Sequence, residues 1–170
     1  MHKEDMCQLT DRLTEDKYRG SHKQVAQAIL KYSNNPGLDV VNFFELVLFS
    51  FLTGNADMHL KNFSLIHQPA IGPIISPAYD LVATALVNLT DDEDLALTLN
   101  DKKKRINRND FVAAFNTIAL DAKQQENTFK KMEKAKESWL QFIDISFLND
   151  EMKSNYKNLL HYRFARLVEQ

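Results

Sequence analysis

The chain contains few of the residues on which several common kinds of site are built. Of its 170 residues, one is cysteine (Cys7) and four are glycine. A single cysteine cannot form an internal disulfide, which fits a reducing cytoplasm. One cysteine and five scattered histidines give no spacing typical of a zinc site. Four widely separated glycines form no loop that could cradle a phosphate, and the Gly-x-Ser-x-Gly motif of hydrolases is missing.

An excess of charge of one sign is also missing. Twenty-one basic and 23 acidic residues give a formal net charge of −2, so the chain has no basic field that would attract nucleic acid. A basic run at residues 102–105 follows an acidic run at residues 91–94. We expect both runs to be solvated turns beside a strand, and we expect no direct contact with nucleic acid.

Long hydrophobic runs are lacking as well. The longest apolar stretch, residues 40–53, is interrupted by Asn42 and Glu45 and is too short to cross a bilayer. We expect it to be a buried core helix, and we expect no membrane association. No charged-then-apolar leader is seen at the N-terminus. With 44% apolar and 26% charged residues, the sequence predicts one cytoplasmic domain spanning residues 1–170.

The first half of the chain shows clear helix boundaries. Ser21 is a typical cap for a helix that the Asn-Pro-Gly run at residues 35–37 would end. Asp39 is expected to cap a second helix at residues 40–52, which would stop at Gly54. A helix with such a wide apolar face gives a rigid support to the loop that follows it.

The remaining pattern predicts a mainly helical fold with a small β insert. Short β-branched and apolar runs predict three strands, at residues 62–66, 71–75 and 95–99. Apolar residues at helical spacing predict three further helices, at residues 110–120, 123–147 and 150 to the end, with their apolar stripes in the core.

Three polar residues beside the predicted hairpin carry the most chemical information. Asp57 and Asn62 lie in one short loop, and Asp80 comes one hairpin length later. Phosphoryl transfer from ATP needs a carboxylate to accept the proton of the attacking hydroxyl. It also needs an amide and a second carboxylate to hold Mg²⁺. The set is therefore a candidate site for phosphoryl transfer.

The spacing of Asp57 and Asn62 is weak as a motif when it is taken alone. Asp144 and Asp150 are also followed by Asn five residues later, but their context predicts helix interiors or helix starts, where these residues are ordinary caps. Asp57 instead lies between a helix stop and a strand. The alternative for Asp57 is an acid that only caps its loop.

The run FLTGNADMHLKNFS at residues 51–64 resembles the catalytic loop of HipA-like serine/threonine kinases, the toxins of bacterial persistence toxin–antitoxin systems. Further runs agree with the family in order and spacing: residues 4–8 (EDMCQ), 17–18 (KY), 77–81 (PAYDL), 95–99 (LALTL) and 108–111 (RNDF). The resemblance extends from Glu4 to about Leu120 and weakens in the C-terminal helices.

The resemblance implies roles for individual residues. Asp57 would be the catalytic base, and Asn62 and Asp80 would be Mg²⁺ ligands. Three further residues would contact the ATP nucleotide: His59, Lys61 and Tyr79. For His59 the alternative is a packing histidine that fixes the loop, and for Lys61 it is a solvated side chain.

The resemblance also implies an organisation and a set of partners. The chain would be the C-terminal lobe of a kinase whose N-terminal lobe, with its phosphate-covering loop and lysine, lies outside this sequence. The expected partners are that lobe or module, a HipB-like antitoxin and a protein substrate such as an aminoacyl-tRNA synthetase. The alternative is a catalytically silent kinase-fold module, or a truncated fragment, that only binds partners.

Overall fold

The computed structural model describes residues 2–88, 90 and 92–168 and is mainly helical, with one small antiparallel sheet. This confirms the predicted fold class. The helices are α1 (Met6–Leu9), α2 (His22–Tyr32), α3 (Pro36–Thr53), α4 (Arg108–Asn116), α5 (Ala122–Asp144) and α6 (Asp150–Ala165). The strands are β1 (Lys3–Asp5), β2 (Ser64–Gln68) and β3 (Gly72–Ile75), and short 3-10 turns lie at Thr14–Asp16, Leu60–Asn62 and Thr84–Leu86.

The sheet has the order β1-β2-β3, with β2 in the centre. The β2–β3 hairpin confirms the two predicted strands, with Leu65 opposite Ile75. β1 was not predicted, because three residues are too few to show alternation. The outer edge of β3 is capped by the segment between α2 and α3. The backbone N–H of Asn34 donates to Pro73 O at 2.7 Å, and Ile75 N–H donates to Asp39 Oδ2 at 2.8 Å.

The start of α2 was predicted correctly, whereas the prediction for the start of α3 was wrong. The run at residues 35–37, predicted to end α2, instead begins α3, and α2 ends at Tyr32. Ser21 caps α2 through its hydroxyl, which accepts from Gln24 N–H. α3, however, begins at Pro36 rather than after Asp39, because proline at the first helical position loses no hydrogen bond. Asp39 lies inside the first turn, buried, where its carboxylate accepts from the Ser33 hydroxyl and from β3.

α3 is the central helix of the core. Its phenylalanines meet other rings edge to face: Phe43 with Phe63 at 5.0 Å between centroids, Phe44 with Phe115 at 5.3 Å, and Phe51 with Phe111 at 5.5 Å. By length and composition alone α3 could cross a membrane, but half of it is buried inside the protein. These contacts agree with the predicted core helix.

The C-terminal helices pack on α3, with one exception to their predicted stripes. Trp139 of α5 meets Phe49 of α3 with ring centroids 5.3 Å apart, and Ile143 is buried. Phe142 was expected in the core, yet its side chain is 69% exposed at the end of α5. α5 ends before Phe147, the predicted end, and α6 ends at Ala165, while residues 169 and 170 lie outside the described residues.

The third predicted strand, at residues 95–99, does not form. Its leucines are buried as expected, but its backbone forms no strand. It makes isolated bridges from Thr98 to Ser21 and from Leu99 to Lys102. An apolar run bounded by turns predicts burial, and here the burial comes from packing on the core without a neighbouring strand.

The prediction for the acidic run was wrong at Asp94. An exposed ion pair links Lys104 to Asp92, as expected for a solvated turn, and a half-buried pair links Lys103 to Glu93. Asp94 instead is buried and accepts hydrogen bonds from Arg163, Arg166 and the backbone of Ile106. Asp91 lies outside the described residues. The buried ion pairs connect this segment to the end of α6.

Candidate active site

The loop that carries Asp57 begins at a glycine that no other residue could replace without strain. Gly54 ends α3 in the left-handed conformation, with φ 74°. A Cβ at this position would lie 2.6 Å from Leu159 Cδ2 and 3.1 Å from Ala85 Cβ. The helix stop predicted at Gly54 is therefore confirmed, and it is enforced both by backbone conformation and by close packing.

Hydrogen bonds hold the loop after Gly54 against the segment that follows Asp80. Asn55 is buried; its side-chain oxygen accepts from Asp57 N–H at 3.2 Å, and its amide donates to Asp80 O at 3.4 Å. The backbone of Ala56 donates to the Thr84 hydroxyl at 2.9 Å. The two segments of the candidate site therefore form one hydrogen-bonded unit.

Asn62 and Asp80 meet directly. Asn62 Nδ2 donates to Asp80 Oδ2 at 2.5 Å, and Asn62 Oδ1 accepts from His59 N–H at 3.2 Å. Asn62 is buried, whereas Asp80 is exposed and has a left-handed backbone, with φ 56°. Aspartate tolerates this conformation better than most residues. The structure therefore brings together the amide and the second carboxylate of the predicted set.

The donor set at this site suits Mg²⁺ that is shared with a phosphate-bearing substrate. Asp80 supplies a carboxylate, and Asn62 supplies an amide oxygen. Within the described residues, no group of three or more Asp, Glu, His or Cys side chains could hold a metal by itself. Mg²⁺ commonly uses one or two protein carboxylates and completes its shell with water and substrate phosphates.

Asp57 has a partner that sequence reasoning did not assign to the site. The hydroxyl of Tyr18 donates to Asp57 Oδ1 at 2.7 Å, and this bond, with burial as a lesser cause, raises the pKa of Tyr18 to about 12. The adjacent Lys17 accepts at its carbonyl from Leu60 N–H at 3.1 Å. Its ammonium lies 4.9 Å from the centroid of the Tyr18 ring. The only sequence signal was the match of the Lys17-Tyr18 pair to the family.

His59 is a buried residue in the middle of the loop. Its ring meets the Tyr18 ring edge to face, with centroids 5.0 Å apart. Burial lowers the pKa of His59, and the charge of Lys17 lowers it further, although Asp57 and Asp80 partly oppose this shift. The ring therefore favours the neutral form while lying between two carboxylates and a lysine.

Lys61 and Tyr79 are both engaged within the lobe. Lys61 Nζ lies 3.6 Å from Asp5 Oδ2 and 3.4 Å from the Thr14 hydroxyl. The Tyr79 hydroxyl donates to Lys61 O at 2.6 Å, and the ammonium of Lys3 lies 3.5 Å from the centroid of its ring. These contacts place both residues beside β1 and the loop that carries Asp57, and their contact with a nucleotide stays a prediction.

The sequence matches a family model described as the HipA-like C-terminal domain over residues 1–139. Among curated proteins, it is 34% identical to "Putative kinase Y4dM" of Sinorhizobium fredii over 105 residues, which is 61% of this chain and 25% of that protein. It is also 34% identical over 65 residues to a "Putative kinase" of Haemophilus influenzae, covering 38% of this chain and 19% of that protein. The chain thus spans about a quarter or less of these relatives' lengths.

Two solved structures share the fold. The first is HipA of Shewanella oneidensis, determined in complex with HipB and operator DNA. It superimposes with a TM-score of 0.83 at 21% identity, over 98% of this chain and 43% of HipA. The second is the Helicobacter pylori proinflammatory kinase CtkA, with a TM-score of 0.66 at 17% identity, over 98% of this chain and 65% of CtkA. The fold is therefore the kinase-like fold of these proteins.

Proposed function

This chain belongs to the HipA-like C-terminal domain family, and we propose that residues 1–170 form the catalytic lobe of an ATP-dependent protein serine/threonine kinase. The reaction would transfer the γ-phosphate of ATP to a hydroxyl of a protein substrate. The observation that carries the proposal is the hydrogen bond between Asn62 and Asp80 beside the loop of Asp57. This bond supports the proposal because it holds the two proposed metal-binding groups next to each other, close to the proposed base.

In this proposal each of the three residues has one task. Asp57 accepts the proton of the acceptor hydroxyl while the hydroxyl oxygen bonds to the γ-phosphorus. The bond between that phosphorus and the bridging oxygen of the β-phosphate breaks, and ADP leaves. Asn62 and Asp80 would hold Mg²⁺, which neutralises charge on the phosphates. Two hydrogen bonds hold the side chain of Asn62, because Nδ2 donates to Asp80 and Oδ1 accepts from His59 N–H. The remaining lone pair of Oδ1 and the free lone pairs of Asp80 would bind the metal.

Three residues near this loop would orient the bound nucleotide. His59, Lys61 and Tyr79 surround the same loop and are proposed nucleotide contacts, with Lys61 as a phosphate partner once it leaves Asp5. The low pKa of His59 keeps its ring neutral. A neutral ring donates or accepts one hydrogen bond without adding a charge at the site.

The proposed partners follow from the relatives. This chain corresponds to less than half of the HipA structure. We propose that an N-terminal lobe, either a separate chain or an earlier part of the same chain, packs over ATP on the side of Asp57 and Asp80. Both of these residues are exposed. HipA assembles with HipB in that structure, so a HipB-like antitoxin is a proposed partner in the cytoplasm. The proposed target is a protein such as an aminoacyl-tRNA synthetase, whose phosphorylation would make this kinase a toxin.

A second candidate function is a catalytically silent kinase-fold module that only binds partners. The observation in its favour is that this chain spans a quarter or less of the curated relatives. A silent module, however, would tolerate the loss of any member of the Asp57, Asn62 and Asp80 set. All three are present and arranged together here.

Phosphoproteomics tests the proposed function. Cells that express the complete kinase would be compared with cells that express its Asp57→Gln variant. We expect one or a few proteins to gain phosphoserine or phosphothreonine only with the unaltered kinase. Identical phosphorylation in the two samples, with both proteins present at equal level, would favour the silent module.

A further inference from the structure

The only side-chain hydrogen bond that the structure assigns to the carboxylate of Asp57 comes from the hydroxyl of Tyr18, among the described residues. Tyr18 lies 39 residues earlier in the chain, just after the 3-10 turn Thr14–Asp16. Its hydroxyl occupies one lone pair on Oδ1, whereas a carboxylate offers about four acceptor positions on its two oxygens. Oδ2 therefore stays open to a second hydroxyl.

Three contacts fix Tyr18 itself. The carbonyl of Lys17 accepts from Leu60 N–H, which ties the backbone of this segment to the catalytic loop at 3.1 Å. The phenol ring packs edge to face on His59, and the ammonium of Lys17 lies above it. Because its backbone and ring are both held, the hydroxyl is a fixed donor even though the side chain is 43% exposed.

We propose that Tyr18 is a positioning residue for the catalytic base, holding Asp57 Oδ1 so that Oδ2 faces the acceptor hydroxyl of the protein substrate. This inference rests on the proposed kinase function. The physical reason is that the terminal torsion of an aspartate is broad and roughly two-fold. A single hydrogen bond to one oxygen therefore removes most of the rotation that would otherwise misdirect the base. Small misplacements of reacting groups cost large factors in rate.

A role for Tyr18 in blocking the site predicts a different effect on the rate. If Tyr18 were a plug that occupied the place of the acceptor hydroxyl, its removal would open the site and increase the rate. Tyr18→Phe separates the two roles, because it deletes only the hydroxyl and keeps the ring against His59. A matched control is Tyr32→Phe. Tyr32 is 38% exposed, and its partner is the neighbouring Lys31, away from the catalytic loop.

The contact can be tested on the 170-residue chain without any assay of activity. Tyrosine ring carbons would be followed by ¹³C NMR at pH 11, with circular dichroism to report folding. We expect Tyr18 to stay largely protonated in the unaltered chain, because its pKa is raised to about 12. In Asp57→Asn it should be mostly ionised, as an ordinary tyrosine is. Ionisation of Tyr18 in both folded chains would overturn the proposed contact.

The role is tested in the complete kinase. We expect Tyr18→Phe to lower kcat about 10- to 100-fold at an unchanged KM for ATP. Tyr32→Phe should match the unaltered kinase. An unchanged or higher kcat in Tyr18→Phe would overturn the positioning role. If the unaltered kinase transferred no phosphate, the proposed function would fail with it, while the NMR result would still report the contact.

Discussion

Asn62 donates its side-chain hydrogen bond to Asp80 across the β2–β3 hairpin, joining residues 18 positions apart at a distance of 2.5 Å. Asn62 is buried and Asp80 is exposed, so the pair has a fixed inner member and an outer member that faces solvent. The buried Asn62 gives the proposed metal site a rigid support, and Asp80 keeps carboxylate lone pairs available on the side that faces solvent.

Asp57→Asn should abolish phosphoryl transfer by the complete kinase while leaving the fold unchanged. The amide keeps the shape of the side chain but cannot accept the hydroxyl proton, a role worth about 10²–10⁴ in rate. Single-turnover transfer from radiolabelled ATP would measure it. The matched control is Asp144→Asn, which has the same spacing to an asparagine but lies in α5, paired with Lys157. Near-normal turnover in Asp57→Asn would remove Asp57 as the base.

Asp80→Asn should impair the use of Mg-ATP more than Lys61→Ala does. Asparagine suits the left-handed backbone of Asp80, so the change isolates the loss of a carboxylate that would bind Mg²⁺ directly. Lys61 is already engaged with Asp5 and contributes a screened point charge. Titration of Mg²⁺ against both variants compares them. A larger loss in Lys61→Ala at saturating Mg²⁺ would reverse this order.

The 170-residue chain by itself should fold, bind Mg-ATP weakly and transfer no phosphate. Its buried residues form one cluster that includes α2 to α6. The phosphates, however, would meet Asp57, Asn62 and Asp80 without the lysine and the loop amides that an N-terminal lobe would supply. A dissociation constant of roughly 1 mM, or about 4 kcal/mol, is expected. Calorimetry and a radiolabel assay test both statements. Micromolar affinity or clear autophosphorylation would show a complete nucleotide site in this chain.

The stability of the chain should fall as the pH decreases from about 6.5 to about 4. His22 is fully buried, accommodated next to Phe43 and Phe63, and burial lowers its pKa to about 4. The unfolded chain therefore binds a proton in this window while the folded chain does not, so up to about 3 kcal/mol present above pH 6.5 is lost.

The lowered pKa of His59 acts in the same direction. Urea unfolding at several pH values measures the slope of the free energy of unfolding against pH. It should be smaller in His22→Gln and unchanged in the control His161→Gln, an exposed position. Equal slopes in the unaltered chain and His22→Gln would mean that the folded protein admits the proton.

Asp94→Asn should destabilise the fold by about 3–5 kcal/mol. Its carboxylate is the partner of Arg163, which is itself buried, and of Arg166 at the end of α6. Without it, a buried guanidinium loses its counter-charge. Chemical denaturation measures the loss. Asp92→Asn, two residues earlier in an exposed pair with Lys104, is the control and should leave stability nearly unchanged, because solvent screens that pair. Equal effects at the two positions would show that burial of Asp94 has no energetic consequence.

Local sequence rules succeeded where one segment contained the whole signal. Ser21 starts α2 because its hydroxyl satisfies an amide three residues later, and Gly54 stops α3 because it adopts a left-handed backbone. The same rules misplaced the start of α3. Aspartate is a residue type that often caps a helix, but here the proline three residues before Asp39 begins α3. Asp39 instead binds the edge of β3, a partner 36 residues away.

The sequence by itself determined the helical class, the hairpin and the loop of Asp57 and Asn62, because each depends on periodicity or on residues that are neighbours in the chain. Only the tertiary structure brought Tyr18 to Asp57 and Arg163 to Asp94. Packing also kept residues 95–99 from forming a strand, although their burial was predicted. The physical reason is that partners far apart in the chain are determined by how the helices and strands pack around α3, and a local sequence pattern does not predict this packing.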